Sequence, residues 1–185
     1  VEYKFHYGDK EGQKLMLELL IEMMKGYQEV TILCIGTDRV SGDSLGPLTG
    51  TLIKEEYPWA RVFGTLDTPV HALNLEEVTR KIKTMHPSAL VIAVDACLGR
   101  ANNVDNIVLC AEPLKPGIGV DKELAPVGDV SVKGIVNVGG FMPTMVLQST
   151  RLNSVYNMAK IIAGTIVQAL VAHKNFRNLY KLKEA

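Results

Sequence analysis

Two apolar runs that each deliver an aspartate just beyond them constrain this chain more than any other feature. The first, Thr31–Ile35, is short and β-branched, and it enters Gly36 and a polar loop carrying Asp38, Arg39, Ser41 and Asp43. A helix is expected from about Leu45 to Tyr57. Pro47 suits its first turn, where a missing N–H costs little, and Ser44 is placed to cap it. Strand, polar loop and helix in this order open an α/β unit. The second run, Ala89–Val94, ends on Asp95. Its near-continuous apolar character fits a central parallel strand covered on both faces. Ligands of open α/β sheets bind beyond the carboxyl ends of the strands, so both aspartates are expected at one sheet edge, on adjacent strands.

The remaining segments supply matching pieces. Val1–Lys10, where Tyr3, Phe5 and Tyr7 alternate, reads as a short strand or a packed arm. Gln13–Lys25 sets Leu15, Met16, Leu19, Leu20 and Met23 at helical spacing, and Gly26 closes that helix. Arg61–Leu66 is a second strand, followed by a loop through His71 and a helix Leu75–His86 with Asn74 as its cap. Ile107–Ala111 and Val130–Val138 are the fourth and fifth strands. Between them Glu112–Pro126 is long and rich in Pro and Gly, and Lys115–Val120 within it is either a flap over the crevice or an ordered loop. Thr144–His173 reads as one long helix or a kinked pair, with Val155, Ala159, Ile162, Ile166 and Ala169 on one face, and Phe176–Ala185 is expected to fray. Alternating strands and helices predict a three-layer α/β/α sandwich with a mostly parallel five-stranded sheet. At 185 residues the chain suits one domain, 1–185.

Composition narrows the function classes. The formal net charge is zero, which argues against a nucleic-acid surface. Three cysteines, Cys34, Cys97 and Cys110, are an odd number without metal-motif spacing, so reduced thiols in a cytoplasmic protein are expected. Cys97 draws attention because it follows Asp95 by two residues. The apolar runs look too short and interrupted to cross a bilayer, so no membrane partner is expected. Gly36, Gly42 and Gly46 are not spaced as G-x-G-x-x-G, and no Gly-Lys-Ser/Thr follows, so no nucleotide cofactor is expected. No other cofactor is expected either.

Asp43 and Asp95 each have a plain structural reading, as a helix-start carboxylate and as a hydrogen-bonded loop carboxylate. Together they say more. Two carboxylates in one site cannot both ionise cheaply, so one pKa rises and the pair holds one proton. Such a pair can take a proton from water with one member and give one to a leaving amine with the other. His71 is expected on the same edge, as a structural histidine, as a group orienting a carboxylate, or as the third member of an Asp43/Asp95/His71 metal set. Arg39 and Arg100 flank the aspartates and could grip a substrate carboxylate or form exposed ion pairs. Thr37, Ser41 and Ser44 lack the strand–turn setting of a nucleophile elbow. Arg39, His71, Arg100 and the loop residues Pro116, Gly117 and Gly119 are the candidate substrate contacts.

Several phrases resemble known families. GDSLGP at Gly42–Pro47 resembles a segment of the spore germination proteases, which cleave small acid-soluble spore proteins. VIAVDA at Val91–Ala96 resembles their second catalytic segment, and KPGIGV at Lys115–Val120 is similar to a Pro-Gly loop in them. The strand–loop–acidic-x-x-Gly start also resembles, more distantly, the hydrogenase maturation endopeptidases. TPVHALNL (Thr68–Leu75), DACLG (Asp95–Gly99) and PVGDVSVKG (Pro126–Gly134) resemble the sporulation protein YyaC family, over about Val30 to Leu170.

The resemblance implies an α/β/α sandwich with one antiparallel strand among five. It places the germination proteases' catalytic aspartates on Asp43 and Asp95, and implies aspartate-dependent hydrolysis of small spore proteins in the forespore or spore interior. The maturation enzymes bind their substrate's nickel with an acidic residue, an Asp and a His. The first two fall on Asp43 and Asp95, but no histidine lies between His86 and His173, so His71 would be a substitute from another loop. A counterpart of the germination proteases' longer N-terminal extension is not expected, so propeptide control is not implied. The alternatives are a catalytically silent relative that binds a peptide or protein partner through the same crevice, and a metal-dependent hydrolase using His71. Oligomerisation stays open.

Overall fold

The computed structural model describes residues 2–116 and 124–181. Its strands are β1 (Glu2–His6), β2 (Val30–Cys34), β3 (Arg61–Phe63), β4 (Leu90–Gly99), β5 (Asn106–Cys110) and β6 (Val130–Val138). Its helices are α1 (Lys10–Met24), α2 (Leu45–Glu56), α3 (Leu75–Met85), α4 (Pro143–Gln148) and α5 (Leu152–Lys181). The strands form one sheet in the order β1-β5-β6-β4-β2-β3. β3, β2, β4 and β6 run parallel, and β5 is antiparallel to both its neighbours.

The sheet therefore has six strands rather than five. The sixth is the N-terminal arm, where the register Tyr3↔Leu109 and Phe5↔Ile107 turns Phe5 into the core with Tyr3 packed beside it. Three alternating aromatics were too short a signal to separate strand from arm.

Strand periodicity sorts the side chains into two layers. On one face Ile32, Cys34, Ile92 and Val94 join Met16 and Leu20 of α1, Ile53 of α2, and Met158 and Ile162 of α5 in the main core. On the other, Leu33, Ile35 and Ala93 pack with Leu75 and Ile82 of α3. The result is an α/β sandwich.

The stretch read as one long helix or a kinked pair divides at Ser149–Arg151 into α4 and α5. α5 continues past Phe176 to Lys181, and residues 182–185 of the stretch expected to fray lie outside the described residues. Arg177 donates to the Gln28 carbonyl, and the His173 ring donates to the Tyr27 carbonyl at 2.9 Å, tying that end down. Leu152–Asn178 does reach the length and mean hydropathy of a membrane span, against the reading that the apolar runs are too short. Val155, Met158, Ala159, Ile162 and Ile166 are nevertheless fully buried, so α5 uses its apolar face as a core helix.

Pairing of unequal strands positions the site. β2 pairs with β4 from Val30↔Leu90 to Cys34↔Val94 and then stops. β4 continues to Gly99 because β6 stays beside it, with a register shift between Cys97 and Leu98. Asp95 is thus the first β4 residue beyond the end of β2, and not the end of its own strand. After β3 the chain loops out and returns at Val70, which forms one parallel bridge with Ile35.

Candidate functional site

A cavity of about 520 Å³ opens at this carboxyl edge, with Asp43, Asp95, His71, Arg39, Pro116 and Leu147 among its walls. Asp43 is brought there by a tight turn. Gly36 has a φ of +137°, and a Cβ on it would lie 2.0 Å from the Asp43 carbonyl oxygen, so only glycine lets these two segments touch. The Thr37 N–H then reaches both the Asp43 carbonyl (3.1 Å) and its Oδ2 (3.0 Å). Ser41–Asp43 forms a 3-10 turn. The Ser41 hydroxyl lies against three carbonyls at the end of α4, those of Leu147, Gln148 and Thr150, the last at 2.8 Å. Ser44 sits at the cap position of α2 but makes no side-chain cap, because its Oγ donates to the Ser41 carbonyl at 2.7 Å. Burial pushes the half-buried Asp43 carboxyl up to about 6, against the opposing pull of the Thr37 N–H.

Asp95 needs no turn. Its Oδ1 accepts from the Ala96 N–H at 2.8 Å. Burial first, and the charge of Asp43 second, raise its carboxyl well above the usual carboxylate range, while the Ala96 N–H opposes them. The two carboxyls therefore feel each other across the cavity, the charge of Asp43 adding to the rise at Asp95.

His71 is held by the residue expected to cap α3. The side chain of Asn74 accepts from the His71 N–H (2.8 Å) and donates to the Pro69 carbonyl (3.1 Å), and makes no cap bond to the helix. The half-buried His71 ring accepts at Nδ1 from the Leu73 N–H at 3.3 Å. Among the described residues no three His, Cys, Asp or Glu side chains converge as a metal-binding group. Asp43, Asp95 and His71 share a cavity without forming a three-ligand set.

The other candidates divide. Arg39 is exposed at the mouth, and Pro116 is buried in the wall. Gly117 and Gly119 lie outside the described residues, as does most of Lys115–Val120. Arg100 does not line the cavity. β4 runs on beyond Asp95, and five residues of strand carry Arg100 roughly 16 Å further, to an exposed position before a 3-10 turn. Cys97 belongs to a satellite cluster with Val108, Cys110 and Ile135, and burial pushes its thiol up to about 11.

Sequence reasoning missed the apolar walls. Leu73, Leu124 and Leu147 all line the cavity. Leu147 is placed by the break between α4 and α5, for which no local signal exists, whereas Leu73 sits two residues from a candidate histidine and could have been suspected. Leu73 is 93% exposed although it lines the cavity.

Residues 4–165 match the family described as "Protein of unknown function (DUF1256)". The chain belongs to this family. It is 51% identical over 135 residues to "Uncharacterized protein YyaC" of Bacillus subtilis (strain 168), an alignment covering 72% of this chain. The chain spans 66% of that relative's length. The DUF1256 fold is also similar to the crystal structure of a [NiFe] hydrogenase maturation protease, HycI, from Thermococcus kodakarensis KOD1. The TM-score is 0.59 at 19% identity, covering 82% of this chain and 98% of the other. At that identity the likeness is one of fold, a protease-like fold.

Proposed function

We propose that this protein is an aspartate-dependent peptidase acting on small spore proteins, in the forespore or spore interior. The observation that carries the reading is the carboxyl pair in one cavity, with Asp43 pushed up to about 6 and Asp95 raised well above the usual carboxylate range. In this reading Asp43 works as the ionised member of the pair and Asp95 as the protonated one. Asp43 accepts a proton from water, and the water oxygen attacks the scissile carbonyl carbon. The tetrahedral intermediate collapses as Asp95 gives its proton to the amine nitrogen and the C–N bond breaks. Transfer of the Asp43 proton to Asp95 restores the starting state. Arg39 at the mouth and Pro116 in the wall contact the substrate. The resemblance of Gly42–Pro47, Val91–Ala96 and Lys115–Val120 to the spore germination proteases supports the choice of substrate.

The test is digestion of purified small acid-soluble spore proteins and of a mixed peptide library, with and without chelator, beside Asp43→Asn and Asp95→Asn. Defined fragments that survive chelator and vanish in both variants are expected. Fragments that persist in either variant would overturn the assignment.

A second reading has its own observation. The exposed Leu73 on the cavity wall suits the docking of a polypeptide without cleavage. Saturable binding of a spore protein that stays intact over long incubation, weakened by Leu73→Asp, would favour a silent binding protein.

A further inference from the structure

We propose that His71 is a further catalytic residue, whose Nε2–H donates a hydrogen bond to the scissile carbonyl oxygen as that oxygen becomes an oxyanion. The proposal rests on the peptidase reading above.

Three observations converge on it. The first is the state of the ring. The Leu73 N–H donates to Nδ1 at 3.3 Å, so the proton of the neutral imidazole sits on Nε2. His71 lines the cavity that holds Asp43 and Asp95, and among the described residues no acceptor takes up the Nε2–H.

The second is rigidity. Val70, next in the chain, is bridged to Ile35 at the sheet edge, and the Gly36 N–H donates to its carbonyl at 2.8 Å. On the other side Asn74 clamps the His71 N–H, and the Asn74 and Leu75 N–H groups donate to the His71 carbonyl at 3.0 and 2.9 Å. A donor fixed in this way stabilises developing charge without reorganisation at the moment of reaction.

The third is that two backbone donors beside the carboxyls are already taken. The Thr37 and Ala96 N–H groups are already engaged by the two carboxylates. Arg39 is exposed at the mouth, as is Thr144 on α4.

The same geometry separates this role from metal ligation. A metal on Nε2 requires the other ring nitrogen to carry the proton, and metal-bound histidines usually donate that N–H to an acceptor. Here Nδ1 faces an N–H, so ligation would set donor against donor.

The experiment has two parts. Ring 15N NMR on the full chain reads the tautomer. Steady-state cleavage of the library peptide that the wild type cuts fastest is compared with His71→Ala and His71→Gln. The expected result is a neutral ring protonated at Nε2, and a fall in kcat of about 100-fold or more for His71→Ala with KM within about twofold. His71→Gln, whose amide N–H can still donate, should recover about a tenth of the wild-type kcat or more. A ring protonated at Nδ1, an unchanged kcat in His71→Ala, or equal losses in both variants with a rising KM would overturn the proposal while leaving the peptidase reading in place. A wild type that cleaves no library peptide and no spore protein would overturn the reading itself, and the catalytic role with it.

Discussion

Asp43 reaches the cavity on a turn, and Asp95 reaches it on a strand. Asp43 depends on Gly36 adopting a φ closed to other residues, on the Thr37 N–H, and on Ser41 fastening its turn to the end of α4. Asp95 depends only on β4 outlasting β2 by a few residues, with its position fixed by the ladder to β6. The difference shows in their chemistry. Burial pushes Asp43 up to about 6, while burial and then the charge of Asp43 raise Asp95 well above the usual carboxylate range. Under the proposed function, one residue type in two settings would supply an acid and a base at the same pH.

The comparison can be broken most severely at the turn. Gly36→Ala puts a Cβ against the Asp43 backbone and should destabilise the fold by about 3 kcal/mol or more in urea unfolding, with loss of cleavage. Gly140→Ala, at a similar φ of +146° but with nothing within 4 Å, should cost about 1–2 kcal/mol and leave cleavage intact. Equal costs would remove the close-approach argument.

Next comes the charge on Asp43. The folded carboxyl titrates near 6 against an ordinary value of 3.8, so the folded state holds the extra proton between these limits. The stability this gives is fully present below pH 3.8 and is lost as pH rises through 6, a span worth roughly 3 kcal/mol. Asp43→Asn, which cannot ionise, should therefore be the more stable protein at pH 7 by up to about 3 kcal/mol and lose that advantage below pH 4. A variant less stable than wild type at pH 7 would mean that Asp43 is held by more than the Thr37 bond.

A smaller effect is expected behind the histidine. Asn74→Ala removes two hydrogen bonds from the His71 loop and should cost about 1–2 kcal/mol. Thermal unfolding of this variant is the check, and a cost below about 0.5 kcal/mol would show that the Val70 bridge holds the loop alone. The smallest effect belongs to Arg100→Ala, which should leave stability within about 0.5 kcal/mol and cleavage unchanged, whereas Arg39→Ala should raise KM.

The elements that were legible in the sequence are those set by local pattern. The β-branched run before Gly36 and the apolar run before Asp95 each announce a strand, and strand adjacency at a switch point brings their ends together. What was hidden depends on partners distant in sequence. β4 runs past Asp95 because β6 accompanies it, which is also why Arg100, adjacent in sequence, is remote in space. The Phe5 arm becomes a strand only because β5 offers an edge. Asn74 has the residue type of a cap, and its competing bond to the His71 N–H is a choice that only the folded loop reveals. Ser41 likewise needs the end of α4, more than a hundred residues away in the chain.

The central claim is that the two carboxyls occupy different protonation states at neutral pH because each sits in its own environment. Side-chain carboxyl titration by 13C NMR tests it directly, in the wild type and in Asp43→Asn. The account predicts an Asp43 midpoint near 6, an Asp95 midpoint above it, and a fall in the Asp95 midpoint when Asp43 can no longer carry charge. Two midpoints close to the ordinary carboxylate value, or an Asp95 midpoint indifferent to Asp43, would contradict it.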